Sequence, residues 1–164
     1  MLSIGSVAPD FELKLQTGVR FRLSDQRNER NVVLHFSPDD PFGRSPNERS
    51  IFVDRLREIQ SLDAVVVGVL AKPPSQKYRP GVNGYPFFLA SDQALEVSRN
   101  YRAVWLRGLG IRKVTYVIDK HQTIRGIAHH ELLVDQHWDH VIRVLRELMD
   151  EDRTRSYNRK AWDL

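Results

Sequence analysis

Few residues in this chain have both the type and the spacing for covalent or metal chemistry. The foremost is Ser45, in the run Pro38-Asp39-Asp40-Pro41-Phe42-Gly43-Arg44-Ser45, directly before Pro46. A serine nucleophile needs a base to take its proton. His35 lies just upstream, but no Gly-x-Ser-x-Gly elbow surrounds Ser45, so hydrolase chemistry lacks its strained turn. A second group is His129, His130, Glu131, His137 and His140. His137 and His140 are three residues apart rather than the four of helical zinc pairs, and they read as surface histidines at a strand-to-helix junction. No metal is expected. Gly108-Leu109-Gly110 lacks the third glycine and the following helix of a dinucleotide loop, and no cofactor is expected. The chain has no cysteine, which excludes disulfides, zinc-thiolate sites and any thiol nucleophile.

Composition narrows the remaining classes. With 164 residues, 41% hydrophobic and 28% charged, the chain has the make-up of an ordinary globular domain. The net charge of +4 is mild. Its basic residues are scattered, except for Arg153, Arg155, Arg159 and Lys160 near the C-terminus. No basic motif interleaved with aromatics is present, so nucleic acid is not an expected partner. No apolar run approaches the roughly 20 residues that span a bilayer, and the start has no secretory pattern. The expectation is a cytoplasmic protein without membrane contact.

The elements that must position these residues can be read from periodicity. Residues 7–15 alternate, Thr17-Gly18 turns the chain, and Phe21 and Leu23 continue the alternation, which predicts an N-terminal hairpin. Val32-Val33-Leu34-His35-Phe36 and Ala64-Val65-Val66-Val67-Gly68-Val69-Leu70 read as strands buried on both faces. Between them Ser45-Pro46-Asn47-Glu48 is a capping box with proline at the first helical position. Ile51, Phe52, Leu56, Ile59 and Leu62 follow at helical spacing. Strand, crossover helix and strand make a parallel βαβ unit. Tyr85–Leu89 reads as extended, and Ser91 or Asp92 caps a short helix carrying Ala94, Leu95, Val97 and Tyr101. Residues 113–118 and 123–128 form a second hairpin. The last helix runs from about Val134 to Met149 with Trp138, Val141, Ile142, Val144, Leu145 and Leu148 on its apolar stripe. The expected division is one domain over 1–150 and a polar, basic, frayed or docking tail over 151–164. The fold class is α/β: a thioredoxin-like sandwich with a central mixed sheet and an N-terminal β-hairpin extension.

At this level of detail the chain resembles the peroxiredoxin (alkyl hydroperoxide reductase/thiol-specific antioxidant) family, nearest its bacterioferritin comigratory subgroup. Gly5-Ser6-Val7-Ala8-Pro9-Asp10-Phe11-Glu12-Leu13 is similar to the family's opening Gly-x-x-Ala-Pro-Asp-Phe-x-Leu. Val32–Pro38 resembles the strand that enters its active-site loop. Pro86-Phe87-Phe88-Leu89-Ala90-Ser91-Asp92 and Thr115-Tyr116-Val117-Ile118-Asp119 resemble two further family segments, in the right order and spacing. Glu48 also matches the subgroup.

The resemblance implies a peroxidatic site, and this chain departs from it. Pro38 matches the shielding proline, the hydroxyl position is Phe42, the nucleophile position is Ser45, and the arginine position is Lys113. Serine is far more basic than a thiol and has no sulfenic acid step. Lysine keeps the charge but loses the planar fork. Arg112 is adjacent, although neighbours on a strand point to opposite faces. Two readings of Ser45 follow. One is a degenerate peroxiredoxin-like protein kept as a binding or assembly module. The alternative is a 1-Cys thiol-dependent hydroperoxide reductase in which Ser45 replaces a native cysteine of this polypeptide. Phe42, Lys113 and the proline-broken segment 72–81 favour the first. The resemblance also implies a homodimer, with Phe42 and Trp105 or Trp162 as apolar contacts. A small anion is a further expected partner, held by Ser45, Lys113 and Arg112.

Overall fold

The computed structural model describes residues 2–38, 46–72, 87–129 and 134–163; side chains are described within these except at 46–51 and 134–135. Two antiparallel strands, β1 (Glu12–Lys14) and β2 (Arg20–Arg22), form the N-terminal hairpin, followed by one 3-10 turn at Leu23–Gln26. The central sheet holds β3 (Asn31–Phe36), β4 (Ala64–Leu70), β5 (Phe88–Ser91), β6 (Val114–Ile118) and β7 (Ile124–His129) in the order β5-β4-β3-β6-β7. β3, β4 and β5 run parallel, whereas β6 is antiparallel to both of its neighbours. The helices are α1 (Pro46–Ser61), α2 (Glu96–Asn100) and α3 (Val134–Trp162). The expected α/β sandwich with a mixed sheet and an added hairpin is the observed architecture.

Strand alternation divides the interior into two cores. Val32, Leu34 and Phe36 of β3 point to the hairpin side, where they meet Val65, Val67, Val69, Val114, Tyr116 and Ile118. Val33 points to the helix side, with Phe52, Leu56 and Ile59 of α1 and Trp138, Val141 and Leu145 of α3. His35 shares the parity of Val33 and is thereby directed among the helices. Continuous β-branched runs in β3 and β4 are what a strand covered on both faces requires. The hairpin is fastened to the edge of the sheet by Gln16. Its backbone N–H donates to Leu89 O at 2.8 Å, and its side chain bonds Leu89 N and Phe87 O.

Two boundaries differ from the sequence reading. α2 begins only at Glu96, because Leu95 takes a left-handed conformation (φ 56°), so Ala94 and Leu95 precede the helix. Asp92 still caps it from a distance, accepting from the N–H groups of Glu96 and Ser98 and from the Ser98 hydroxyl. More consequential is α3, which continues past Met149 without a break through the segment expected to fray or dock, as far as Trp162. No glycine or proline interrupts it, and the turn between β6 and β7 anchors it. Arg125 bridges Asp119 (3.1 Å) and Glu151 (2.6 Å), Lys120 bridges Asp63 (2.5 Å) and Asp152 (3.3 Å), and Arg155 donates to His121 Nε2 at 2.9 Å. Beyond these contacts the helix is exposed, Trp162 included. The capping box at Ser45, the side chain of Ile51 and the extended run at Tyr85-Pro86 lie outside the described residues.

Candidate functional site

Of the residues read as a site, Pro38 and Lys113 lie near the C-terminal end of β3. Pro38 follows that strand and is exposed. Phe42 and Ser45 lie outside the described residues, although α1 begins directly after Ser45, at Pro46. Lys113 is partly buried and immediately precedes β6, the neighbour of β3. Its charge depresses the pKa of two buried histidines, His35 and His137. Arg112, by contrast, lies with Tyr116 on the hairpin side of the sheet. The two cations, both just before β6, thus face opposite sides of the sheet. Trp105 and Trp162 are both exposed.

The most organised polar feature is one the sequence reading missed. The antiparallel register of β3 and β6 sets His35 directly opposite Thr115, and α3 lays His137 over the same point. Thr115 Oγ1 is 2.7 Å from His35 Nδ1 and 2.6 Å from His137 Nε2. All three residues are at most 1% exposed. Trp138 packs against His35 with ring centroids 5.3 Å apart, and against Phe52 of α1 at 4.9 Å.

Hydrogen-bond polarity assigns the protons. His137 Nδ1 faces the carbonyl of His129 at 3.4 Å, and a carbonyl can only accept, so this nitrogen carries the hydrogen. Neutral His137 then has a bare Nε2, which accepts from the Thr115 hydroxyl. Thr115 Oγ1 in turn accepts from His35 Nδ1–H. This leaves His35 Nε2 as a bare lone pair, buried and without a partner among the described residues.

The electrostatics keep both rings neutral. Burial pushes the His35 pKa well below its ordinary value, with His137 and the Lys113 ammonium adding to the effect. His137 is lowered to about 4, first by burial and then by Lys113, against a smaller opposing contribution from its bond to His129 O. A base this reluctant to protonate is a poor activator of a hydroxyl nucleophile at neutral pH. What the chain of three can do is present one acceptor lone pair to a donor and hold β3, β6 and α3 in register.

His137 therefore is not a surface histidine; it occupies the inward face of α3. The signal was its spacing: positions 137, 141, 144 and 148 share one helical stripe, so His137 belongs with Val141, Val144 and Leu148. His140 lies off that stripe, and its Nδ1 accepts from Arg143 at 2.8 Å. His130 and Glu131 lie outside the described residues. Among the described residues no three metal-ligating side chains come together.

Comparison with known proteins agrees with the fold. The profile of the AhpC/TSA family matches residues 4–127. The chain belongs to the AhpC/TSA family. It is 32% identical to peroxiredoxin Bcp of Bacillus subtilis (strain 168) over 159 residues, covering 91% of this chain and 96% of that protein. A chloroplastic 2-cysteine peroxiredoxin of Chattonella marina var. antiqua is 29% identical over 90% of this chain and 80% of its own. Among solved structures, peroxidoxin BcpB from Mycobacterium tuberculosis superposes with a TM-score of 0.75 at 28% identity, covering 90% of this chain and 98% of that one. As an AhpC/TSA chain this protein is distinguished by its composition, since it has no cysteine anywhere. Among the described residues no helix is long and apolar enough to cross a membrane.

Proposed function

We propose that this AhpC/TSA protein does not reduce peroxides and serves as a binding or assembly module, acting as a homodimer in the cytoplasm. The observation that carries this reading is the absence of any sulfur nucleophile. A thiolate attacks a peroxide oxygen and is regenerated from its sulfenic acid; a serine hydroxyl has neither the acidity nor that redox step. The changes at Phe42 and Lys113 act in the same direction. Phenylalanine supplies no hydroxyl donor, and lysine supplies no planar two-pronged donor. The polar triad of His35, Thr115 and His137 supports the reading too, because its rings stay neutral beside Lys113. A small anion at the start of α1, between Ser45 and Lys113, is the ligand this site favours.

The test is peroxide consumption with an external dithiol, measured for the native chain, for Ser45→Cys, and for Ser45→Cys combined with Phe42→Thr and Lys113→Arg. The proposal expects no turnover from the first two and recovery only in the triple variant. Turnover by Ser45→Cys alone would overturn it, because the site would then be complete but for one sulfur. Light scattering after size-exclusion chromatography tests the dimer, and a monomer at micromolar concentration removes assembly from the proposal.

A further inference from the structure

A cavity of about 500 Å3 opens on the hairpin side of the sheet, where Arg112 projects. It is lined by Arg102, Arg112, His129, Tyr116, Ile127 and Leu2. Its size is that of a small-molecule site, and its wall sets two guanidiniums beside apolar side chains. We propose that it binds an organic oxyanion, a carboxylate or phosphate monoester with an apolar body, whose charge is held by Arg112 and Arg102.

The fold brings the two arginines together deliberately. Arg102 leaves the C-terminal end of α2 in a left-handed conformation (φ 56°). The chain then doubles back through a loop with Gly108 and Gly110 at positive φ, and Val104 bridges Ile111 in antiparallel fashion. Arg112 N–H donates to Ala103 O at 2.9 Å, so residues 102–103 and 112 are held side by side. No carboxylate lines the cavity and no ion pair engages either guanidinium among the described residues.

Arg112 Nε is buried, with no hydrogen-bond partner among the described residues. A guanidinium donor withdrawn from water and left unpaired is costly, and a planar oxyanion is its geometric complement. The Tyr116 hydroxyl already donates to Tyr101 O, so it offers this pocket an acceptor only. Ile127 and Leu2 pack partly buried against the hairpin-side core and offer the apolar wall. An inorganic anion would use the arginines and leave that wall unfilled, which is the reason the ligand is assigned as organic.

Titration calorimetry on the full chain tests the assignment with hexanoate, phenyl phosphate, inorganic phosphate and 1-hexanol as probes. Hexanoate or phenyl phosphate is expected to bind at least about tenfold more tightly than both inorganic phosphate and 1-hexanol, and the tighter of the two identifies the head group. The preferred probe should lose about tenfold in affinity in Arg112→Gln and in Arg102→Gln; the second variant alters an exposed side chain and keeps the test valid if the first fails to fold. Arg143→Gln controls for net charge and is not expected to change the affinity; all probes are also measured on Lys113→Gln, which removes the anion site proposed at the start of α1 so that the binding left is the cavity's. The assignment is overturned if no probe binds, if inorganic phosphate or 1-hexanol binds as tightly as the organic anions, or if affinity follows Lys113 rather than the two arginines. None of these outcomes depends on whether the Ser45 site reduces peroxide.

Discussion

Replacing His137 by glutamine should flatten the acid dependence of stability, and the size of the effect follows from the buried triad. In the unfolded chain His137 titrates near its ordinary 6.5; in the folded protein its pKa is about 4. Below pH 6.5 the unfolded state therefore binds a proton that the folded state refuses. The stability contributed by the neutral ring is complete above 6.5 and is lost as pH falls toward 4. By pH 4.5 this one group removes about 2–3 kcal/mol relative to pH 7.5. In a chain of this length that is roughly 5–10 °C in Tm. His35 is depressed by the same causes and adds loss of the same sign. A glutamine at 137 can donate to His129 O and accept from Thr115 without titrating. Urea unfolding of both proteins at pH 7.5 and 4.5 is the assay; carboxylate titration acts on both and cancels in the difference. The native chain is expected to lose about 2 kcal/mol more than His137→Gln over this interval. Equal losses, within ~0.5 kcal/mol, would refute the reasoning, because His137 would then titrate alike in both states.

Lys113→Gln removes the cation that the two histidines share, so the His137 pKa should rise toward its ordinary value, as read by NMR titration of its ring. Nitrogen-resolved NMR at pH 7.5 should show both His35 and His137 protonated on Nδ1 and bare on Nε2; an Nε2–H form of either ring would contradict the hydrogen-bond polarity. A Cβ at Gly126 would meet Val144 Cγ2 at 3.1 Å, where α3 crosses β7, so Gly126→Val is expected to cost about 1–3 kcal/mol in chemical denaturation. Arg125→Ala severs the bridges to Asp119 and Glu151; amide exchange should quicken beyond residue 150 of α3 while the global unfolding free energy changes by no more than about 1 kcal/mol.

The legible part of this protein was everything written in local pattern. Apolar runs at 32–36 and 64–70, the helical spacing after Pro46 and the β-branched segment before Asp119 each specify an element through the side chains of consecutive residues. The order of those elements leaves few topologies. The AhpC/TSA motifs add the register of the site positions, and the absence of cysteine is a property of the sequence that no fold can amend. The same spacing that marked Val141, Val144 and Leu148 as inward contained His137, but histidine was read as a surface residue by type. Its partner lies 22 positions away in sequence and its terminal partner a further 80.

Tertiary structure decided where long-range pairing was required. The β3–β6 register set His35 opposite Thr115, and the crossing of α3 buried His137 above them; together these produced two neutral imidazoles and one orphan lone pair. The same sheet sent Arg112 and Lys113 to opposite faces, one toward a cavity shared with Arg102 and the other toward the buried histidines. The anchoring of α3 past Met149 likewise comes from the β6–β7 hairpin 26 or more residues away, including Arg125 to Glu151. Propensity and periodicity act over a few residues, whereas burial, desolvation and ion pairing depend on which distant groups the chain brings together. Sequence alone therefore determined the family and the absence of cysteine, and the packed structure determined which polar groups stay neutral and which are paired.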